Sequence, residues 1–134
     1  VNSENEIMNS DCLILPGVGA FGHAMEKLSN KNLINPIKKF VDDGKPILGI
    51  CLGMQLLFEK SQEMSTHEGL GFIKGTVKIL CNNIDKVPNV GWRPILTCNN
   101  NSSWDNTILS NNKESEFVYR AFRVNAEQSV IQIK

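Results

Sequence analysis

Apolar positions follow two periods along this chain: short unbroken runs alternate with stretches where apolar side chains return every three or four residues. The first run, Asp11-Cys12-Leu13-Ile14-Leu15, predicts a strand buried on both faces of a parallel sheet. Pro16, Gly17, Val18 and Gly19 follow it directly, a loop free to take unusual dihedrals and to present N–H groups to an anion, although taken alone it reads first as a plain tight turn. Phe21, Met25 and Leu28 recur at helical spacing and predict an amphipathic helix over 20–28. Asn35-Pro36 reads as an N-cap with Pro at the first helical position. Ile37, Phe40 and Val41 then supply the apolar face of a second helix, stopped at Gly44. Pro46 to Ile50 is the next run of strand length, and Leu52, Met54, Leu56, Leu57 and Phe58 predict a third helix straight after it.

The pattern weakens beyond this point. Residues 1–10 are polar and read as either a helix end or a loop. Residues 59–63 read as a solvated helix end. The runs 69–73 and 76–80 bracket Gly75 and predict a strand pair with a turn. Residues 87–92 read as a loop or the start of a strand that 93–96 extend. Asn99 to Ser103 and Asn111-Asn112 carry turn chemistry, and 116–124 and 129–134 predict antiparallel strands. Strand, glycine loop, helices, strand, helix is the α/β order of a parallel sheet covered by helices.

Composition narrows the field. A chain of 134 residues with 41% hydrophobic content suits one domain with a real core. Fourteen basic and fourteen acidic residues cancel, so nothing points to a nucleic-acid or membrane-surface partner. No apolar run approaches the roughly 20 residues of a membrane span. Cys12, Cys51, Cys81 and Cys98 show no metal-ligand spacing; they read as reduced thiols of a cytoplasmic protein rather than a disulfide framework. No cofactor is implied.

The chemistry concentrates at Gly49-Ile50-Cys51-Leu52-Gly53, a thiol version of the G-x-S-x-G nucleophile elbow. A strand that turns sharply into a helix at a cysteine sets the sulfur at a helix N-terminus, where unpaired N–H groups favour the nucleophilic thiolate. The flanking glycines let neighbouring backbone approach. The competing reading is a buried cysteine at an ordinary strand–helix junction. The Pro16–Gly19 loop and Cys51 fall at the same carboxyl end of the sheet and are expected to face one crevice.

Four segments together resemble a known family: 15–22, 44–59, 68–77 and Val87-Pro88-Asn89-Val90-Gly91-Trp92. They are similar to class I (triad) glutamine amidotransferases, above all to the glutaminase subunits of imidazole glycerol phosphate synthases. The resemblance implies a flavodoxin-like three-layer sandwich with a mostly parallel sheet. Residues 1–134 are expected to form a single, incomplete domain lacking the first strand and the C-terminal part. It further implies hydrolysis of glutamine to glutamate and ammonia through a thioester on Cys51. The N–H of Leu52, with one from Gly17-Val18, corresponds to the oxyanion hole. Gly19, Gln55 and Glu63 match positions that hold glutamine, against the reading of Glu63 as part of a solvated helix end. The implied partner is a (β/α)8-barrel cyclase or synthase in a cytoplasmic heterodimer of histidine biosynthesis. Trp92 lies in the segment resembling the interface, with a plain core aromatic as the competing reading.

Besides the missing first strand, the chain departs from the pattern in two places. No segment supplies the family's triad His and Glu, and His23 and His67 match neither position; both read as surface residues. Tyr119-Arg120-Ala121-Phe122 stands where the family has a His-Ser-Tyr run. A truncated piece of a glutaminase, inactive alone because Cys51 lacks its base, is the expectation. The alternatives are a subunit of a sugar-aminating synthase for surface polysaccharide and a non-catalytic partner subunit.

Overall fold

The computed structural model describes residues 1–79, 89–94, 105, 110, 117–122 and 124–127. The expected turns at 99–103 and 111–112, the strand at 129–134, Cys81 and Cys98 lie outside these. By packing, the chain divides into two compact units, the first running from Val1 to Lys78 with Ala126 and Glu127, the second from Ile79 to Asn125.

In the first unit the order is α1 (Glu4–Met8), β1 (Leu13–Leu15), α2 (Phe21–Asn30), α3 (Ile34–Asp42), β2 (Ile47–Gly49), α4 (Leu52–Leu56), β3 (Phe58–Ser61), β4 (His67–Glu68) and β5 (Ile73–Ile79). β1 and β2 pair in parallel, Leu13 opposite Ile47 and Leu15 opposite Gly49. A second sheet has the order β4-β3-β5-β8, where β8 is Val124–Glu127. Within it β3 and β5 are parallel and β4 is antiparallel to β3. The parallel expectation for the first two strands holds, but β1 is not covered on both faces: Ile14 is 61% exposed.

The core joins Ile7, Leu13, Phe21, Leu33, Ile37, Phe40, Leu52, Leu56, Leu57 and Leu70, with Met25, Leu28 and Val41 packed against it. These include the apolar stripes the helical spacing marked on α2 and α3. α3 nevertheless starts earlier than Asn35-Pro36 suggests. Its N-cap is Leu33, whose N–H donates to the Leu28 carbonyl (2.9 Å) and whose carbonyl accepts from Ile37 (3.0 Å). Burying Leu33 fixes the helix start, and Pro36 is tolerated in the first turn, where its missing N–H has no helical partner.

Two expectations fail for a tertiary reason. The third helix ends at Leu56, and 58–61 are a strand rather than a solvated helix end. The incoming segment 69–73 takes the carbonyls a longer helix would use: Leu70 N–H donates to Leu56, Ile73 to Leu57 and Gly71 to Phe58. Gly69 passes so close to the Phe58 carbonyl that a Cβ there would collide with it. Gly75, in turn, is no hairpin turn. β5 runs through it at φ 126°, and the register steps from Phe58↔Ile73 to Lys60↔Thr76. That extra residue is a bulge, and the Gly75 N–H donates to the Glu59 carboxylate (3.0 Å).

The second unit carries β6 (Asn89–Pro94) and β7 (Phe117–Phe122), antiparallel from Asn89↔Phe122 to Pro94↔Phe117. The strands expected at 87–96 and 116–124 are found within the described part of these stretches.

Candidate active site

The elbow is present, and its geometry explains its glycines. Cys51 sits between β2 and α4 at φ 56°, ψ −119°, a region an L-residue enters only under strain of about 1–3 kcal/mol. Its carbonyl accepts from Met54 (3.1 Å) and Gln55 (3.3 Å), and the Gly53 N–H donates to Ile50 (3.0 Å), so the turn is locked from both sides. A Cβ on Gly49 would lie 2.5 Å from the Met54 Cα, and one on Gly53 would collide with the Leu15 carbonyl. Both contacts are with backbone, which cannot swing aside. Cys51 is a free, exposed thiol, so the reading as an ordinary buried cysteine falls.

The glycine loop after β1 lies against the elbow, as the shared sheet end implies. Ile50 N–H donates to the Leu15 carbonyl (2.9 Å) and Leu52 N–H to the Gly17 carbonyl (3.3 Å). A Cβ on Gly17 would stand 3.2 Å from the Leu52 Cβ. Val18 is 91% exposed at the tip of this loop, and Gly19 has φ 107°. Gly17 thus lies against Leu52, next to Cys51, with Val18 following it on the exposed side of the loop. The Leu52 N–H is occupied by the Gly17 carbonyl. Because α4 has only five residues, its macrodipole is small, and the N–H groups of Leu52, Gly53, Met54 and Gln55 all donate to backbone carbonyls, so the unpaired N–H groups expected beside Cys51 are not found.

Gln55 projects from α4, half-buried. Glu63 lies elsewhere in the first unit, on an open cleft of about 680 Å³ between α2, α3 and the β3–β4 connection. Ser61, His23, Glu26, His67 and Glu68 also line it, whereas Cys51, Gln55 and Gly19 do not. The turn after β3 brings Glu63 there: the Ser61 Oγ accepts its N–H at 3.2 Å. His67 Nε2 pairs with Ser65 Oγ at 2.7 Å, and its ring fills the space beside Gly22 where a Cβ would stand. His23 lies 3.8 Å from Glu26 on the exposed face of α2. Among the described residues, no histidine hydrogen-bonds to Cys51, and no group of three His, Cys, Asp or Glu is placed to hold a metal. Ser61 carried no signal in the sequence: a serine in a polar run gives no hint that it is fully buried.

Trp92 lies on β6 in the second unit, 64% exposed and opposite Tyr119 of β7. Its exposure rules out the core-aromatic reading. Tyr119 to Phe122 are plain strand residues paired with Asn89 to Trp92. Among the described residues no helix is long and apolar enough to cross a membrane.

Comparison with known proteins bears on what this elbow belongs to. The family model for glutamine amidotransferase class-I matches residues 1–131. "Imidazole glycerol phosphate synthase subunit HisH" of Aquifex aeolicus (strain VF5) is 46% identical over 93% of the chain and 59% of that protein. "Imidazole glycerol phosphate synthase subunit HisH 1" of Legionella pneumophila (strain Lens) is 44% identical over 89% of the chain and 58% of that protein. The chain therefore spans less than two thirds of the length of the curated relatives it matches. A solved structure described as "Crystal structure of glutamine amidotransferase" superposes with a TM-score of 0.57 at 18% identity, covering 70% of this chain and 49% of that one; it shares the fold. With the cysteine elbow between two backbone-crowded glycines and the family match across nearly its whole length, the chain belongs to the class-I glutamine amidotransferases.

Proposed function

We propose that this chain is the nucleophile-bearing part of a glutaminase subunit that supplies ammonia to an imidazole glycerol phosphate synthase. The observation that carries the proposal is Cys51 held at positive φ in the elbow, exposed and beside the Gly17–Val18 loop. Synthase-subunit relatives at 44% and 46% identity support the choice of synthase.

In this reading the Cys51 thiolate attacks the side-chain amide carbon of glutamine. The carbonyl electrons move onto oxygen, which takes hydrogen bonds from the Leu52 N–H and from the Gly17–Val18 peptide. For that, the Gly17 carbonyl leaves its 3.3 Å bond to Leu52, and donors of this kind contribute about 3–4 kcal/mol to the transition state. The intermediate collapses, the C–N bond breaks, and the nitrogen leaves as ammonia after gaining a proton. Water then cleaves the thioester to glutamate and free thiol. Gly19 and Gln55 hold the substrate on the Cys51 side, and Glu63 reaches it from the neighbouring cleft, which Ala20, next to Gly19, also lines. Neither His23 nor His67 serves as the base, since His67 is engaged by Ser65 and His23 lies beside Glu26. A polypeptide of the relatives' length would supply that base.

The proposed partner is a (β/α)8-barrel cyclase that receives the ammonia within a cytoplasmic heterodimer, with Trp92 at the interface. The test is glutamine hydrolysis by the native gene product together with its synthase partner. Cys51→Ala is expected to abolish glutamate release, and turnover at the unaltered rate in that variant would refute the assignment.

A further inference from the structure

Ser61 is fully buried at the end of β3, opposite Val77, which is also fully buried. Phe58, at the other end of β3, is likewise buried. Packing alone would favour an apolar side chain here, because a buried hydroxyl must be matched by a hydrogen bond to offset its desolvation. The hydroxyl has one specific use: its oxygen accepts the Glu63 N–H at 3.2 Å. The intervening Gln62 N–H donates to the Val77 carbonyl at 2.8 Å. Two successive peptide groups are therefore tied down just where the chain leaves the sheet, one to β5 and one to the strand's own last side chain.

The far side of the connection is fixed as well. Ser61 pairs with His67 across β3 and β4. The His67 ring is held by Ser65 and seated in the space Gly22 leaves on α2. Glu63, only partly exposed, emerges from this frame into the cleft. A side chain on an exposed turn is ordinarily free to wander, whereas this one is carried on a backbone whose direction a buried hydroxyl sets.

We infer that Ser61 is a positioning residue for Glu63, aiming its carboxylate at the polar groups of the bound amino-acid substrate. This rests on the glutaminase reading above and adds to it a determinant of substrate affinity that touches no substrate atom. Ser61→Ala keeps the packing and removes only the acceptor. A residue acting this way changes KM and leaves kcat alone.

The experiment uses the native gene product with its synthase partner. Ser61→Ala should raise the KM for glutamine about fivefold to tenfold with kcat within about twofold, the worth of one backbone hydrogen bond. Ser61→Thr, which keeps the acceptor oxygen, should restore the unaltered KM. Alkylation of Cys51 by iodoacetamide gives a second readout. Its rate without glutamine should be unchanged in Ser61→Ala, while the glutamine concentration giving half-protection should rise by the same factor as KM. An unchanged KM and unchanged protection in Ser61→Ala, with both raised in Glu63→Ala, would overturn the inference and leave the glutaminase reading standing. A fall in kcat with faster alkylation at unchanged half-protection would also overturn it, marking Ser61 as merely structural. No glutamine turnover by the unaltered protein would overturn the glutaminase reading itself, and this inference with it.

Discussion

Replacing Cys51 by glycine should stabilise the fold relative to replacing it by alanine, the reverse of what this exchange does in ordinary structure. Alanine at 51 inherits φ 56°, ψ −119° and with it a strain of about 1–3 kcal/mol. Glycine occupies this region freely, but its looser unfolded chain costs about 0.5–1 kcal/mol. Both variants remove an exposed side chain, so lost burial contributes little to either. The difference leaves Cys51→Gly ahead by roughly 1 kcal/mol, or about 4 °C in melting temperature for a chain of this size. Thermal melts and urea titrations of the two variants side by side measure it, and neither variant should release ammonia from glutamine. If Cys51→Gly melts below Cys51→Ala, the backbone at 51 is not strained, and the elbow does not hold the thiol as described.

Four further outcomes follow from particular residues. Gly53→Ala drives a Cβ into the Leu15 carbonyl and should cost more than about 3 kcal/mol in a urea titration. Gly22→Ala meets only the far end of the His67 side chain and gains helix propensity, so it should stay within about 1 kcal/mol of the unaltered protein. Lys45 donates to the carbonyls of Met8 (2.7 Å) and Ser10 (2.9 Å) and stands over the Phe40 ring. Lys45→Met keeps much of the stem's packing but strips both carbonyls of a charged donor, and should lower stability by about 1–3 kcal/mol. Trp92→Ala should leave the melting temperature nearly unchanged, because the side chain is 64% exposed, while weakening binding to the synthase partner tenfold or more in calorimetry, a loss of about 1.4 kcal/mol or greater.

Where local period and tertiary demand agree, the sequence could be read directly. Phe21, Met25 and Leu28 on α2, and Ile37 and Phe40 on α3, pack as their spacing requires. The cysteine elbow was legible because its constraint is local: a strained residue between two glycines that neighbouring backbone crowds. The run from Leu57 to Ser61 was not. Its composition favours a helix, and only hydrogen bonds from residues 69–73, supplied from a distance along the chain, turn it into a strand. Gly75 misled for a related reason, since a glycine within a strand pattern can mark a bulge as well as a turn. The candidate site divides in the same way. Cys51, Leu52 and the Gly17–Val18 loop are brought together by one parallel strand pair, β1 and β2. Glu63 depends on a buried serine and a framed turn that no period announces.

If Cys51 carries the glutamyl group during turnover, the adduct can be trapped. The native gene product and its synthase partner are mixed with labelled glutamine, quenched in acid and digested, and the peptide containing Cys51 is examined by mass spectrometry. A hydroxylamine-sensitive glutamyl adduct is expected on Cys51 and none in Cys51→Ala. Steady glutamate production with no adduct on that peptide, and with Cys51→Ala equally active, would contradict that role of Cys51.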